Sequence, residues 1–412
     1  MRLQTYRDTF LFVLAFFCVC AASGFAADLS ANEKLQFANG LYARGIYDLA
    51  SEEYSTFAAK HPGHKSIDIA RFRLGECYRR TAQADKAIEQ FLQVFEDFPK
   101  SGFRLRAGLL AGDLALQEGK TKTAISILEN VIKSDPPRHI AASALYSLGE
   151  ALRSTERLEK AEKRFEDLIN KHKDSDLYPY GLLALGRVYS ELGKDKKAVG
   201  MFTRAEKSSD NDDMKAESIF RIAEHHFRHN RFKQSSEAYQ ELLEAYPEHS
   251  RSDEAGLRAA WAMHNAGDYK RSLKYADKNI NRLSKSGRTP SGPLAEWIYI
   301  RANCLRQLNE HEKSLREYET LLERFPGSRF TNAASYEAAL VSYRSENYKR
   351  ALELAGRVDV DQLPGLAPNV YWLMAETYSG SGREDEAERY YKLVVSRYPG
   401  SNLACEAAYR LG

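Results

Sequence analysis

Few residues in this chain are spaced for chemistry. In His225-His226-Phe227-Arg228-His229, the first and last histidines stand four apart, on one face of a helix, where two imidazoles can share a metal ion. The nearest acid, Glu224, falls on a different face, and His226 holds a place that Tyr78 and Tyr189 hold elsewhere, so packing explains the cluster and no metal is expected. Asp210-Asn211-Asp212-Asp213 lacks the longer spaced ligand set and the glycine of a calcium loop and reads as a solvated turn, as does Glu52-Glu53. Cys77, Cys304 and Cys405 are far apart, with no CxxC or Cys/His spacing, and read as half-buried thiols on helices. No phosphate-cradling glycine loop, nucleophile elbow or HExxH motif occurs. These absences point to a protein that is not an enzyme, with no cofactor and no small-molecule substrate.

Composition narrows the class further. Hydrophobic residues make up 43% and charged residues 28%, which is globular rather than disordered. The formal net charge is +3 with both signs interspersed along the chain, so no nucleic-acid footprint is present. Arg2 and Arg7 precede an unbroken apolar run, Phe10 to Ala22, and then Ser23-Gly24-Phe25-Ala26, the layout of a signal peptide over residues 1–26. The run is shorter than the ~20 residues of a spanning helix, and an uncleaved anchor is the competing reading. Lipid attachment at Cys18 or Cys20 is disfavoured, because Phe17 and Val19 stand where a lipoprotein signal has a small residue.

The elements that position everything else repeat. Pro62, Pro99 and Pro136 are 37 residues apart, Pro247 falls three further steps on, and Pro326 and Pro399 close later units. Ala50, Ala87, Ala124, Ala161, Ala198, Ser235 and Ser272 keep the same step; Ser314, Ala351 and Ala387 continue it with one insertion and one deletion. Four residues after most of these comes a large apolar residue, as at Tyr54, Phe91, Leu128, Phe165, Phe202, Tyr239, Tyr318 and Tyr391. Twelve residues before them sits a second small one, as at Ala38, Gly75, Gly112, Gly149, Ala223 and Ala302. Each unit thus holds two stretches of helical periodicity, such as Ile67 to Arg80 and Asp85 to Phe98, joined by a Gly or Asn turn and ended by proline. The small residues let two helices cross closely while the aromatic fills the next groove. One such hairpin cannot bury its own apolar faces, but a stack can.

The pattern resembles the tetratricopeptide-repeat (TPR) family, most plainly in Ala70-Arg71-Phe72-Arg73-Leu74-Gly75-Glu76-Cys77-Tyr78 followed by Ala87, Phe91 and Pro99. Phe325-Pro326-Gly327-Ser328 and Tyr398-Pro399-Gly400-Ser401 before alanine-rich helices resemble its bacterial envelope branch, which includes the Tol–Pal coordinator and the barrel-assembly TPR lipoprotein. The resemblance implies an all-α fold, an α-solenoid forming a right-handed superhelix of about ten helical hairpins plus a partial eleventh. Residues 27–283 then hold units one to seven, 284–293 an inserted loop, and 294–412 units eight to ten and the start of the eleventh. The insertion reads as a tolerated loop, a joint between sub-arrays or a contact loop. The last residues, Ala407 to Gly412, begin another repeat, which suggests a longer native chain.

The resemblance also implies a concave groove lined by the first helix of each unit. One place there is aromatic in many units: Phe72, Tyr146, Phe220, Tyr299, Tyr336, Trp372 and Tyr409. These rings either pack on the preceding hairpin or grip an extended peptide or helix. A second row is polar (Asn39, Glu76, Asp113, Glu150, Arg187, Glu224, Asn303, Glu376) and a third holds Arg79, Arg153, His264 and Arg306. Glu76/Arg79 and Glu150/Arg153 are spaced to pair with each other. The candidate partner-binding residues are therefore Phe72, Arg79, Tyr146, Arg153, Arg187, Phe220, Tyr299, Arg306, Tyr336 and Trp372. A clamp for a C-terminal carboxylate is not expected, since Leu35 and Tyr299 stand one turn before Asn39 and Asn303, where the clamp needs lysine. The resulting expectation is a periplasmic or outer-membrane-associated scaffold in a Gram-negative bacterium. It would bind envelope proteins or their peptide segments, touching the membrane only through an uncleaved N-terminus. The alternatives are the targeting part of a larger cell-wall-active enzyme and a self-assembling coat.

Overall fold

The structure, a computed structural model, describes residues 30–285 and 291–412. The expected signal peptide lies outside the described residues, and no helix among those described is long and apolar enough to cross a membrane. Two compact units divide the chain, residues 1–198 and 199–412.

In the first unit the helices are α1 (Ala31–Ala43), α2 (Tyr47–Lys60), α3 (Ile67–Arg80), α4 (Ala84–Asp97), α5 (Arg104–Gln117), α6 (Thr121–Lys133), α7 (Arg138–Ser154), α8 (Leu158–Lys171) and α9 (Tyr178–Glu191). The division falls inside α10 (Asp195–Lys207). The second unit continues with α11 (Asp212–Arg228), α12 (Phe232–Ala245), α13 (Ser252–Asn265), α14 (Tyr269–Lys285), α15 (Ser291–Gln307), α16 (His311–Arg324), α17 (Thr331–Arg344), α18 (Tyr348–Ala355), α19 (Ala367–Gly380), α20 (Glu384–Arg397) and α21 (Asn402–Arg410). No strand occurs among the described residues. Within each unit a helix packs on the next in sequence, and first helices of successive hairpins also touch, as α5 does α7 and α13 does α15. The fold is an α-solenoid of TPR hairpins.

Every hairpin turns at one register position in the left-handed region. Glycine takes it at Gly45, Gly119, Gly193, Gly267 and Gly382, and Ala82, Glu156, Asn230, Asn309 and Glu346 take it in the other hairpins. The next residue donates its N–H back across the helix end, as from Gln83 to the Tyr78 carbonyl at 2.8 Å, which satisfies an otherwise orphaned acceptor. This bond recurs in all ten turns and holds non-glycine residues in a conformation they otherwise avoid.

Two packing solutions occur at the helix crossing. Where the first helix carries glycine, a Phe or Leu from the second helix lies on its backbone: a Cβ at Gly75, Gly112 or Gly149 would come within 2.8, 2.7 or 2.6 Å of Phe91, Leu128 or Phe165. Where it carries alanine, the second helix brings tyrosine in four hairpins, at Tyr54, Tyr239, Tyr318 and Tyr391, all buried. Ser235, Ser272 and Ser314 donate to the carbonyls of Ala223, Ala260 and Ala302 at 2.9, 2.8 and 2.9 Å.

The insertion differs from the expected loop over 284–293. Ser284 and Lys285 belong to α14, and Ser291 to Pro293 open α15, leaving 286–290 outside the described residues. Pro293 fits because the first helical turn needs no N–H donor. The compact division falls at residues 198/199 rather than at this insertion.

Candidate functional site

The first-helix faces carry the candidate residues, and burial separates those that can meet a partner from those that cannot. In the first unit Phe72 is 5% exposed, its ring stacked on Phe103 with centroids 4.7 Å apart and tilted against Phe91 at 5.5 Å. In the second, Phe220 is 1% exposed, held against Tyr239 at 5.5 Å and covered by the Arg251 guanidinium at 4.6 Å. Both rings are core and not partner surface, because the following turn or helix supplies a group that seals them. Tyr146, Tyr299, Tyr336 and Trp372 remain half-buried. Tyr146 rests on Phe165 at 6.0 Å and Trp372 on Tyr391 at 5.4 Å, each edge-on. Tyr299 stacks on Phe330 at 5.0 Å and leans on Trp261 at 6.0 Å.

The arginines are engaged with the chain's own acids. Arg79 pairs with Glu76 at 2.8 Å. Glu150 receives both Arg153 at 3.1 Å and Arg187 from the next hairpin at 2.9 Å, while Arg153 also reaches Glu191 at 2.9 Å. Arg306 pairs with Glu337 at 3.2 Å. Partly exposed pairs of this kind stabilise by at most ~1 kcal/mol each. Their larger effect is to leave the half-buried rings as the unsatisfied part of the face.

The polar row has a structural task that the sequence reading missed. Tyr54 donates its hydroxyl hydrogen to Asn39 at 2.6 Å, Tyr318 to Asn303 at 3.2 Å and Tyr391 to Glu376 at 2.5 Å. Each tyrosine lies 15 residues after its acceptor. That spacing, polar residue to tyrosine, was the available signal. Asn39 and Asn303 are thereby committed to hydrogen bonds within their own hairpins.

Asp113, in the same row, is pushed up from the usual carboxylate range by burial, with a hydrogen bond from Ser147 opposing the shift. A carboxyl whose folded pKa is raised favours the folded state below its unfolded pKa of ~3.9 and loses that contribution as pH rises through the folded value. Asp113→Asn is therefore expected to raise the thermal midpoint at neutral pH, with the gain shrinking under acid. An equal gain at both pH values would place the effect elsewhere.

Cys77 and Cys304 are fully buried rather than half-buried, and burial pushes their thiols up to about 12 and about 11, which disfavours the thiolate. Cys405 is exposed. His225 is buried, its ring centroid 4.5 Å from that of His229. The acidic run starts a helix: Asn211 caps α11 by accepting from the Met214 N–H at 3.1 Å, and Asp212 and Asp213 sit in the first turn, where the helix dipole favours negative charge.

Family models described as tetratricopeptide repeat match residues 70–101, 115–185, 182–214, 299–367 and 368–401. Comparison with curated proteins gives no match. Among solved structures the chain is similar to MamA from Desulfovibrio magneticus RS-1, at 22% identity over 44% of this chain and 97% of that one, with a TM-score of 0.37. It is similar to a tetratricopeptide repeat protein from Parabacteroides merdae, at 14% identity over 72% and 93%, with a TM-score of 0.37. PilF of Pseudomonas aeruginosa gives 12% identity over 54% and 95%, with a TM-score of 0.40. With repeat-family models matching more than half of the chain, within residues 70–214 and 299–401, and with hairpins packed in sequence inside each unit, the chain belongs to the tetratricopeptide-repeat family and is a protein-interaction scaffold.

Proposed function

We propose that this chain is a non-enzymatic scaffold of the bacterial envelope, exported to the periplasm, where its first-helix face holds segments of envelope proteins and organises their assembly. The observation that carries the reading is the set of half-buried rings Tyr299, Tyr336 and Trp372 on three successive first helices at one register position. Partly exposed aromatics on a rigid face are the anchors protein partners use, since they offer large contact area at small entropic cost. The charged layout before the apolar run at residues 10–22 supports export.

The test is a crosslinked pull-down from the native envelope with the chain from Ala27, beside a variant with Tyr299, Tyr336 and Trp372 changed to Ala and shown by circular dichroism to stay folded. Envelope proteins recovered with the first and lost with the second are the expected result. Partners retained in full by the variant would overturn the face assignment, and recovery of no envelope protein would overturn the scaffold reading.

A further inference from the structure

The repeat period breaks at the insertion. Ser272 and Ser314 hold one register position in consecutive hairpins yet lie 42 residues apart, where 37 is the rule. Part of the added chain is helical: α14 and α15 are 17 residues each, against 14 for α13 and α16. The extra first turn of α15 brings Pro293 beside the turn that joins α16 to α17. Leu257 of α13 stands where the preceding hairpin has Phe220 and the following one Tyr299, so a smaller side chain leaves room that a ring fills in its neighbours. The result is a cavity of about 710 Å³ walled by Leu257, Pro293, Phe325 and Phe330.

The charges at its mouth do not cancel. Glu296 accepts from Arg329 at 2.8 Å and from the Trp261 indole N–H at 2.9 Å, so its charge is answered within the chain. Arg324 lies over the Phe325 ring at 5.4 Å and makes no ion pair with a described residue. One uncompensated guanidinium therefore stands at the rim of an apolar hole. Phe330 forms a wall of that hole and also stacks on Tyr299, so the cavity continues the half-buried aromatic row.

We propose that this cavity docks an acidic segment of a partner protein. The segment inserts one large apolar side chain between Leu257, Pro293 and Phe330 and sets a neighbouring carboxylate on the Arg324 guanidinium. A planar fork held over an aromatic ring is suited to bidentate contact with a carboxylate, and a mostly apolar pocket of this size with few polar groups is the usual form of a specific side-chain or ligand site. This assignment rests on the scaffold reading and names the partner's chemistry.

The test uses the full chain with labelled leucine methyl groups and the capped peptide Gly-Asp-Phe-Asp-Gly, read by nuclear magnetic resonance at Leu257. The expected result is saturable shifts at Leu257, with binding weakened about tenfold or more when the acids become lysines or the phenylalanine becomes alanine. Arg324 is exposed, so Arg324→Glu leaves the fold intact and should reverse the charge preference. Leu257→Trp should fill the cavity and abolish binding, read in this variant from the signals of the peptide, since the reporter leucine is gone. Absence of shifts at Leu257, or equal shifts with acidic and basic peptides, would overturn the assignment. So would binding that emerges only when residues 286–290 are replaced by glycine and serine, since the chain itself would then be the occupant. A Leu257→Trp chain that keeps its crosslinked partners, while the Tyr299, Tyr336 and Trp372 variant loses them, would sink the pocket and leave the scaffold standing.

Discussion

Tyr318→Ala should lower the unfolding free energy of the chain by about 3–5 kcal/mol, the range for emptying a fully buried aromatic site. Tyr318 is 0% exposed, packed between α15 and α16 with its ring 6.1 Å from that of Tyr299. Its neighbours cannot collapse into the space, because each is held by the next hairpin as well as by its own. The hydroxyl contributes separately. Tyr318→Phe removes the donor from the Asn303 Oδ1, while the Asn303 amide stays fixed by its 2.8 Å bond to the Tyr299 carbonyl. That loss should cost about 1–2 kcal/mol, the penalty of one stranded buried acceptor. Urea unfolding followed by far-ultraviolet circular dichroism separates the two variants. A cost below ~1 kcal/mol for the alanine variant would mean that this crossing is not packed as described.

One chemical change should have opposite signs at two glycines. At Gly149 an added Cβ would lie 2.6 Å from two ring carbons of Phe165, itself 0% exposed, so α7 and α8 must part. Gly149→Ala should cost about 1–3 kcal/mol, as overpacking does. Gly40 lies exposed on α1 with nothing within 4 Å of such a Cβ. There the substitution only restricts the unfolded chain and improves helix propensity, for a gain of about 0.5–1 kcal/mol. Thermal unfolding of the two single variants is the measurement; a loss at Gly40 or a gain at Gly149 would contradict the packing. Alanine is accommodated at the same register in Ala302, where Tyr318 is the partner and Ser314 bridges to the Ala302 carbonyl at 2.9 Å. At Gly149 the phenylalanine lies on the glycine itself, and that contact is what an added methyl breaks.

The fold was legible because the signals that encode it are local. Helical periodicity, a small residue twelve positions before another, and a proline after the second helix all lie inside one unit, and their repetition leaves a stack of hairpins as the way to bury the apolar faces. The turn residue was legible only in part: glycine and asparagine announce a left-handed turn, but Ala82, Glu156 and Glu346 adopt it because a back-bonded helix end holds them there.

The site was less legible, because which side of a ring meets water depends on residues in another hairpin. Phe72 and Tyr146 hold the same register position, yet Phe103 stacks on the first, while the second has Leu177 at the corresponding place and stays half-buried. Asn39 and Asn303 looked like groove polar groups until the tyrosine 15 residues later claimed them. The insertion looked like a loop, and part of it is an extra helical turn that walls a cavity with Pro293. By itself the sequence determined the repeat, the helix pairs and the small-against-large crossing, since these follow from spacing within about forty residues. Only the tertiary structure decided which aromatics are core, which charges are already paired and where a cavity opens, since those depend on what the neighbouring hairpin places against each face.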